Sequence, residues 1–218
     1  YPENKELGIF VQQDGFLDKA LIKVDEIPEN QLPINQHWTW DKILRSSFIR
    51  QADVVQGLYI FDDLFDIETI KRNFDFYEPY TVHESSISAS THSIVASTIG
   101  NKQKAYELYL RTARLDLDDY NNEVAEGLHI TSMAGTWLAI VQGFGGMRVK
   151  NDKLHFNPHI PEKWNAFAFN ILFRGNQLNI RVEKDKTIIN NIKGGTIELY
   201  LNNQLVEVLA ESQREIKN

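Results

Sequence analysis

The chain has 218 residues and a formal net charge of −7, with 42% hydrophobic and 24% charged residues. This balance is typical of a globular protein, and the length allows one large or two small domains. The absence of cysteine excludes disulfides and thiolate metal sites and favours a reducing compartment, so we expect a cytoplasmic protein. No apolar run could span a bilayer, and an acidic chain without a long basic cluster is unsuited to nucleic-acid binding.

The N-terminal sequence YPENKELGIF has neither a basic start nor an apolar core, so it does not resemble a signal peptide. It does not begin with Met, and we expect a processed chain or a fragment. Residues 1–37 sustain no hydrophobic period, which predicts a long packed connector. Trp38 and Trp40 could line a sugar pocket by stacking on pyranose faces. Covering the core would explain both residues equally well.

Helical periodicity begins near Arg50. Asp66 and Asn101 are predicted N-caps, Pro79 ends one helix, and Gly100 ends another. A last helix carries apolar residues at helical spacing from Ile130 and ends near Gly143. The preceding predicted helices span about residues 50–61, 66–76, 87–100 and 101–117.

The hydrophobic period then changes from about 3.6 to 2, as expected for strands. Alternating apolar residues cover 167–173, 178–182, 197–201 and 205–208. Gly175-Asn176 and Asn202-Asn203 are predicted turns. The pattern predicts short antiparallel strands in a small sandwich, with the domain boundary near Gly145.

Two polar segments lie between the predicted helices: 77–93 (YEPYTVHESSISASTHS) and 116–132 (DLDDYNNEVAEGLHITS). We expect them to face each other across one pocket that binds an anion and a sugar; ordinary solvated connectors are the alternative. Ser85 and Ser86 stand where the next helix is predicted to begin. Hydroxyl and free N–H groups at the positive end of a helix dipole form an anion site. A serine that only caps the helix would give the same pattern.

His129 has the same setting directly before the last predicted helix, although a lone histidine there is more often structural. Glu84 is a candidate general base or hydroxyl-orienting group, or else a surface carboxylate. Arg50 can pair with an anion in a forked geometry, and Gln51 can bind sugar hydroxyls. A plain surface pair is the alternative for these two residues.

Metal and cofactor chemistry are not indicated. Asp116, Asp118 and Asp119 lack the glycine and downstream glutamate of a helix–loop–helix calcium site. The six histidines are not spaced as a zinc site. The glycines at 143–146 follow a helix rather than a strand, which excludes a dinucleotide loop. We expect no metal and no cofactor.

Three segments closely resemble the C-terminal part of the disaccharide phosphorylases of glycoside hydrolase family 65: RQADVVQGLY (50–59), YEPYTVHESSIS (77–88) and TARLDLDDYNNEVAEGLHITSMAGTWLAIVQGFGGMRV (112–149). The likeness covers nearly the whole chain. Members carry an N-terminal β-sandwich, a linker, an (α/α)6 barrel and a C-terminal β domain. The resemblance implies an α + β chain: the last part of an (α/α)6 helical barrel with its connector over 1–145, then a small antiparallel β-sandwich over 146–218.

The resemblance also implies inverting phosphorolysis of an α-glucosidic disaccharide, with maltose as the expected substrate. Inorganic phosphate is the co-substrate, and β-glucose 1-phosphate and glucose are the products. An inverting hydrolase needs a second carboxylate to activate water, whereas phosphate is itself the nucleophile. The expected phosphate-binding residues are Ser85, Ser86 and His129, and the expected substrate-binding residues are Arg50, Gln51 and Glu84. Arg50 stands where the family has lysine, which alters the geometry of that contact.

The family's general acid is a glutamate upstream of every segment present here. We therefore expect no catalytic residue in this chain and no activity from it alone. A truncated barrel would expose an apolar edge, so we expect poor solubility or a partner chain, and a homodimer for the full-length enzyme. The alternatives are a trehalase-like inverting hydrolase with Glu84 as base, and a non-catalytic module that binds sugar or a partner.

Overall fold

The computed structural model describes residues 2–217. The chain divides into two compact units, the first ending at Ala139 and the second beginning at Ile140. The first unit is mainly helical and the second is built of strands, so the α + β prediction is confirmed. The division lies slightly before the predicted boundary near Gly145. Among residues 2–217, no helix has both the length and the apolar character needed to cross a membrane.

The first unit holds a short hairpin followed by helices. The predicted caps are confirmed: the Asp66 side chain accepts a hydrogen bond from Thr69 N at 2.7 Å, and Asn101 accepts one from Lys104 N at 3.2 Å. After the last helix the chain continues in π-helical turns over Ala139–Phe144. The elements are β1 (Glu3–Asn4), β2 (Ile9–Phe10), α1 (Ile34–His37), α2 (Trp40–Arg45), α3 (Asp53–Ile60), α4 (Ile67–Tyr77), α5 (Ser88–Thr98), α6 (Lys102–Ala113), α7 (Leu115–Asp118) and α8 (Ile130–Leu138).

The N-terminal connector is mostly irregular and packs on α4. Phe10 N donates to Asn73 Oδ1 at 2.8 Å, and Gln12 N donates to the Tyr77 hydroxyl at 3.0 Å. These bonds satisfy backbone groups that no regular element serves. The predicted packed connector is confirmed.

Three predicted helix boundaries are wrong. The helix expected to open at Arg50 begins at Asp53. The helix after the first polar segment begins at Ser88 and not at Ser85, because the chain turns at 85–88 with Ser88 N donating to Ser85 O at 3.3 Å. The helix predicted to reach Leu117 stops at Ala113, since Arg114 leaves the helical conformation (φ −112°, ψ 10°). A separate turn, α7, follows.

Helix α5 lies at the centre of the first unit and packs against α3, α4, α6 and α8. Every residue from Ser88 to Ala96 is buried, although half of them carry polar groups. Small side chains let neighbouring helices approach closely, and the hydroxyls find backbone acceptors. Ser90 Oγ donates to Ile87 O at 2.9 Å, and Ser93 Oγ donates to Ala105 O on α6 at 2.8 Å. Hydrogen bonding of these two hydroxyls removes the main cost of burying them.

Helix α8 packs through small residues. Ser132 and Gly135 are buried, and Ser132 Oγ donates to Thr112 O on α6 at 2.9 Å. The apolar stripe predicted for this helix lies on the other side, where Ile130, Met133 and Trp137 are exposed. The stripe is real but does not form the core of the described chain. Hydrophobic spacing cannot tell which of two faces a neighbouring helix covers.

The second unit contains two four-stranded sheets, with strand orders β10-β7-β6-β5 and β3-β4-β8-β9. All pairings are antiparallel except β4 with β8, where Leu154 lies opposite Leu199 in a parallel register. The antiparallel prediction is therefore wrong for this one pair. The strands are β3 (Arg148–Lys150), β4 (Lys153–Phe156), β5 (Ala166–Phe173), β6 (Asn176–Glu183), β7 (Lys186–Lys193), β8 (Ile197–Leu201), β9 (Gln204–Val208) and β10 (Gln213–Lys217).

Alternation along the strands separates the two faces of each sheet. On β6, Leu178, Ile180 and Val182 are fully buried while their neighbours are more exposed. The predicted turn at Asn202-Asn203 is confirmed, since both residues have positive φ, 49° and 64°. The other turn uses Arg174 and Gly175 (φ 48° and 83°) and not Gly175-Asn176, because Asn176 already pairs in β6.

The close approach of α8 to α5 predicts a clear difference between two glycines. A Cβ added at Gly135 would lie 2.5 Å from Ser90 Oγ and 2.8 Å from Ser90 Cβ, whereas at Gly57 in α3 it would meet nothing within 4 Å. We expect Gly135→Ala to lower the free energy of unfolding by about 1–3 kcal/mol through overpacking. Gly57→Ala should raise it by up to about 1 kcal/mol through helix propensity. Urea denaturation of both variants checks this, and equal effects would contradict the packing described.

Candidate functional site

The two polar segments meet at the N-terminal ends of α5 and α8. Ser86 Oγ and Thr131 Oγ1 lie 2.5 Å apart, joining the first segment to the first turn of α8. The close contact of Ser90 with Gly135 holds these helix ends side by side. The first N–H groups of a helix have no intrahelical acceptor, and the helix dipole makes that end positive. Two such ends lie next to each other here.

Ser85 and Ser86 are half-buried residues in the turn before α5. Because α5 begins at Ser88, neither serine is the N-cap; that position belongs to Ile87, which makes no side-chain cap. The capping alternative therefore does not apply to them. Their hydroxyls lie in the turn between His83 and the helix, and Ser86 already contacts a hydroxyl of the second segment.

His129 occupies the N-cap position of α8, as predicted. Its Nδ1 lies 2.5 Å from Asp116 Oδ1, and its backbone N–H donates to Asp116 Oδ2 at 2.9 Å. Its Nε2 lies 3.5 Å from Glu123 Oε2. The hydrogen bond with Asp116 is the main cause that raises the pKa of His129 above its ordinary value and lowers the pKa of Asp116. A doubly protonated imidazole is thereby favoured at the start of this helix.

Glu84 is buried, with a relative exposure of 5%. Its carboxylate accepts hydrogen bonds from Ile34 N at 2.5 Å and Asn35 N at 3.2 Å, at the start of α1. Burial raises its pKa, against the effect of these two bonds and of Arg50. Its oxygens thus bind the connector, and the substrate contact of Glu84 stays a prediction. The surface-carboxylate alternative is wrong, because the residue is buried.

Arg50 and Gln51 precede α3, which begins at Asp53. They line an open cavity of about 220 Å³ together with Trp40. The Arg50 guanidinium lies 5.1 Å from the centre of the Trp40 ring, and its Nε lies 3.6 Å from Glu84 Oε2. This ion pair links the cavity to the residue directly before Ser85, so the two predicted parts of the site are neighbours.

The two tryptophans have different environments. Trp38 packs against Phe48 with ring centres 5.5 Å apart, and its indole N–H donates to Gln31 Oε1 at 2.8 Å. It covers the core, as one alternative predicted. Trp40 is 63% exposed and lines the cavity, with the Arg50 guanidinium over its ring. Only Trp40 is placed to stack on a ligand.

The three aspartates of the second segment are engaged within the chain. Asp116 binds His129, and Asp118 forms a two-pronged ion pair with Arg114 at 2.6 and 2.7 Å. Asp119 Oδ1 accepts from Glu123 N at 2.9 Å and Val124 N at 3.1 Å. Each carboxylate therefore has a structural partner, and the three do not converge on a common point for a cation.

The structure also contains a cluster of possible metal ligands that the sequence pattern did not indicate. Glu78, His83 and His92 place one possible ligand atom each within 4.8 Å of one another. They could hold a metal ion by ligand type. However, Glu78 and His92 Nδ1 are hydrogen-bonded to each other, and Lys104 Nζ lies 3.6 Å from Glu78 Oε1. The Glu78 carboxylate thus already has a hydrogen bond with His92 and an ion pair with the Lys104 ammonium group. Two histidines near a glutamate in a serine-rich stretch were the available signal.

The model of the glycosyl hydrolase family 65 central catalytic domain matches residues 1–138, and that of the family's C-terminal domain matches residues 147–208. The chain is 50% identical over 218 residues to maltose phosphorylase from Bacillus subtilis (strain 168), covering 100% of this chain and 29% of that protein. It is 45% identical over 199 residues to alpha,alpha-trehalose phosphorylase from Thermoanaerobacter brockii, covering 91% of this chain and 26% of that protein.

A solved structure described as "Putative kojibiose phosphorylase from human microbiome" matches with a TM-score of 0.91 and 38% sequence identity. The match covers 99% of this chain and 28% of the other. The chain thus spans under a third of the length of these relatives, and the predicted resemblance is confirmed. Two family models, together covering most of the sequence, establish that this chain belongs to glycosyl hydrolase family 65.

Proposed function

We propose that this chain is the C-terminal portion of an inverting disaccharide phosphorylase and carries the phosphate side of its active site. The observation that supports this most directly is the contact between Ser86 and Thr131, which joins the turn before α5 to the first turn of α8, where His129 is the N-cap residue. Hydroxyls, backbone N–H groups and a cationic histidine are the groups that bind phosphate. Ser85, Ser86 and His129 are the proposed phosphate ligands.

The chemistry of the site favours phosphate over water as the nucleophile. Phosphate carries its own negative charge and attacks the anomeric carbon directly, so the residues around it need to bind and orient it. A water nucleophile would need a free carboxylate as base. Glu84, the candidate for that role in a hydrolase, is buried and bound to two backbone N–H groups. This burial and hydrogen bonding argue against the trehalase-like alternative.

The charges around His129 favour anion binding although the chain as a whole is acidic. Asp116 is the nearest carboxylate to His129, and their hydrogen bond orients the imidazole and raises its pKa, which favours the protonated form. Because Asp116 binds Nδ1 and the backbone N–H of the same residue, its charge is directed at the histidine. We infer that His129 meets phosphate through its Nε2 edge, where Glu123 at 3.5 Å would give way to the ligand.

We place the sugar beside the phosphate, over Trp40, with Arg50 and Gln51 contacting its hydroxyls. The cavity of about 220 Å³ and the exposed indole face support this arrangement. Maltose is the proposed disaccharide, because maltose phosphorylase is the relative with 50% identity. The general acid is proposed to lie in a part of the enzyme outside these residues. The homodimer and the cytoplasmic location stay predictions.

The phosphate ligands can be tested by substitution in the complete enzyme that contains this segment. We expect Ser86→Ala and His129→Ala each to raise the KM for phosphate about tenfold or more, as the loss of one or two charge-assisted hydrogen bonds requires. Release of β-glucose 1-phosphate from maltose measures this. Thr98→Ala, at the opposite end of α5, is the control and should leave that KM unchanged. Formation of glucose without phosphate at an undiminished rate would contradict the phosphorylase proposal.

A pH series tests the role of Asp116. The pKa of His129 is raised, so its charge is present below the ordinary imidazole value and is lost only as pH rises through the higher folded-state value. In Asp116→Asn the main cause of that rise is removed, and phosphate affinity should therefore be lost at lower pH than in the unchanged protein. Comparing KM for phosphate against pH in both proteins cancels the titration of phosphate itself. Superimposable profiles would contradict the proposal.

The sugar side should respond differently. Gln51→Ala removes a donor and acceptor proposed to meet sugar hydroxyls and leaves both helix termini intact. We expect the KM for the disaccharide to rise about tenfold with little change in the KM for phosphate. Gln56→Ala, one turn into α3, serves as the matched control. A rise in the phosphate KM alone would move Gln51 to the other side of the site.

A further inference from the structure

His83 has an unusual backbone conformation directly before the phosphate-binding turn. Its φ is 53°, in the left-handed region that non-glycine residues seldom adopt. Such a conformation persists only when surrounding contacts hold it, and these residues cluster at functional sites. The next three residues are Glu84, Ser85 and Ser86. The path of the chain from His83 into these three residues therefore depends on the contacts that hold His83 in its left-handed conformation.

The side chain of His83 is held at both ring nitrogens. Nδ1 lies 2.8 Å from Ser88 Oγ at the start of α5, and Nε2 lies 3.3 and 3.4 Å from the two carboxylate oxygens of Glu78. A carboxylate can only accept, so Nε2 carries the hydrogen and Nδ1 accepts from the serine hydroxyl. Burial is the main cause that lowers the pKa of His83 to about 4. The ring is therefore neutral near pH 7 and has one defined tautomer.

The backbone of His83 is held from the other side. Arg111 on α6 donates to His83 O from Nε at 3.3 Å and from Nη2 at 3.1 Å. The same Nη2 lies 3.4 Å from Val82 O. The ring is thus tied to α5 and to the end of α4, while the carbonyl is tied to α6. These three attachments define the orientation of one peptide unit.

Glu78 is itself fixed in its charged state. Burial would raise its pKa, but hydrogen bonds from His83 and His92 outweigh burial and lower the pKa of Glu78 well below its usual value. Lys104 Nζ lies 3.6 Å from Oε1 and supplies a compensating charge. This ammonium group, together with Arg111, opposes a divalent cation in the same place. The cluster is better described as a hydrogen-bonded support than as a metal site.

We propose that His83 is a positioning residue for phosphate: held between Glu78 and Ser88, it locks the left-handed conformation from which the chain enters the turn of Ser85 and Ser86, and so sets the contact of Ser86 with Thr131. The inference rests on the proposed phosphate site and extends it to a residue that does not touch phosphate. It also distinguishes the two histidines, since His83 is held within the turn whereas His129, whose pKa is raised by Asp116, is a proposed ligand of phosphate.

Two substitutions separate a positioning role of His83 from a general structural role. In the complete enzyme, His83→Ala removes both ring contacts, and we expect the KM for phosphate to rise about tenfold or more. His83→Asn keeps an acceptor for the Ser88 hydroxyl, and asparagine tolerates the left-handed region, so the KM should return to within about threefold of the unchanged enzyme. In both variants the KM for maltose should change less than about twofold.

Ser88→Ala provides a milder test, because it removes only the hydroxyl that Nδ1 accepts from. We expect an intermediate rise in the KM for phosphate, about threefold, with the thermal midpoint nearly unchanged.

Equal increases in the KM values for phosphate and maltose, or a loss of stability that His83→Asn does not restore, would overturn the inference and assign His83 a general structural role. Zinc-dependent phosphate binding abolished by a chelator would overturn it in favour of a metal site. An unchanged enzyme that shows no phosphate dependence would overturn the proposed function together with this inference.

Discussion

The burial of a polar helix is the constraint on which the rest of the helical unit depends. Helix α5 is enclosed on all sides, yet it is built mainly of serine, threonine and alanine. Small side chains allow α8 to approach until Gly135 meets Ser90, and the hydroxyls of Ser93 and Ser132 return to backbone carbonyls. Larger residues would separate the helices and move their N-termini apart. Close packing at the middle of α5 thus sets the geometry at its end.

An acidic chain can build an anion site if its nearby carboxylates are already committed. Glu84 accepts from two backbone N–H groups, Asp116 binds His129, and Glu78 binds two histidines and faces Lys104. Each negative charge is neutralised locally or directed at a protein donor. The hydroxyls and helix termini then experience less repulsion than the net charge of −7 suggests. Net charge is a poor guide to a site of this kind.

The sequence predicted what depends on local chemistry. The caps at Asp66 and Asn101 and the turn at Asn202-Asn203 follow from short-range hydrogen bonding and backbone preference, and all three are confirmed. The burial of Glu84 was missed because its partners lie some fifty residues away, at α1. Strand β7 was missed because Thr and Asn take several of its positions, and β4 pairs in parallel through a distant strand. Long-range contacts decide these features, and no local pattern encodes them.

The hydrogen bonds from Ile34 and Asn35 to Glu84 give the N-terminal connector a second role. A passive linker can be lengthened, shortened or exchanged without effect on chemistry elsewhere. Here the connector is hydrogen-bonded to the carboxylate of Glu84, the residue directly before Ser85, so the positions of the connector and the serine turn are linked. A change in the connector would therefore reach the turn through Glu84, far away in sequence and without touching a ligand. A chimaeric enzyme joined between residues 37 and 84 would take the donors and the carboxylate of this contact from different parents, whereas a junction upstream of Ile34 would keep them together.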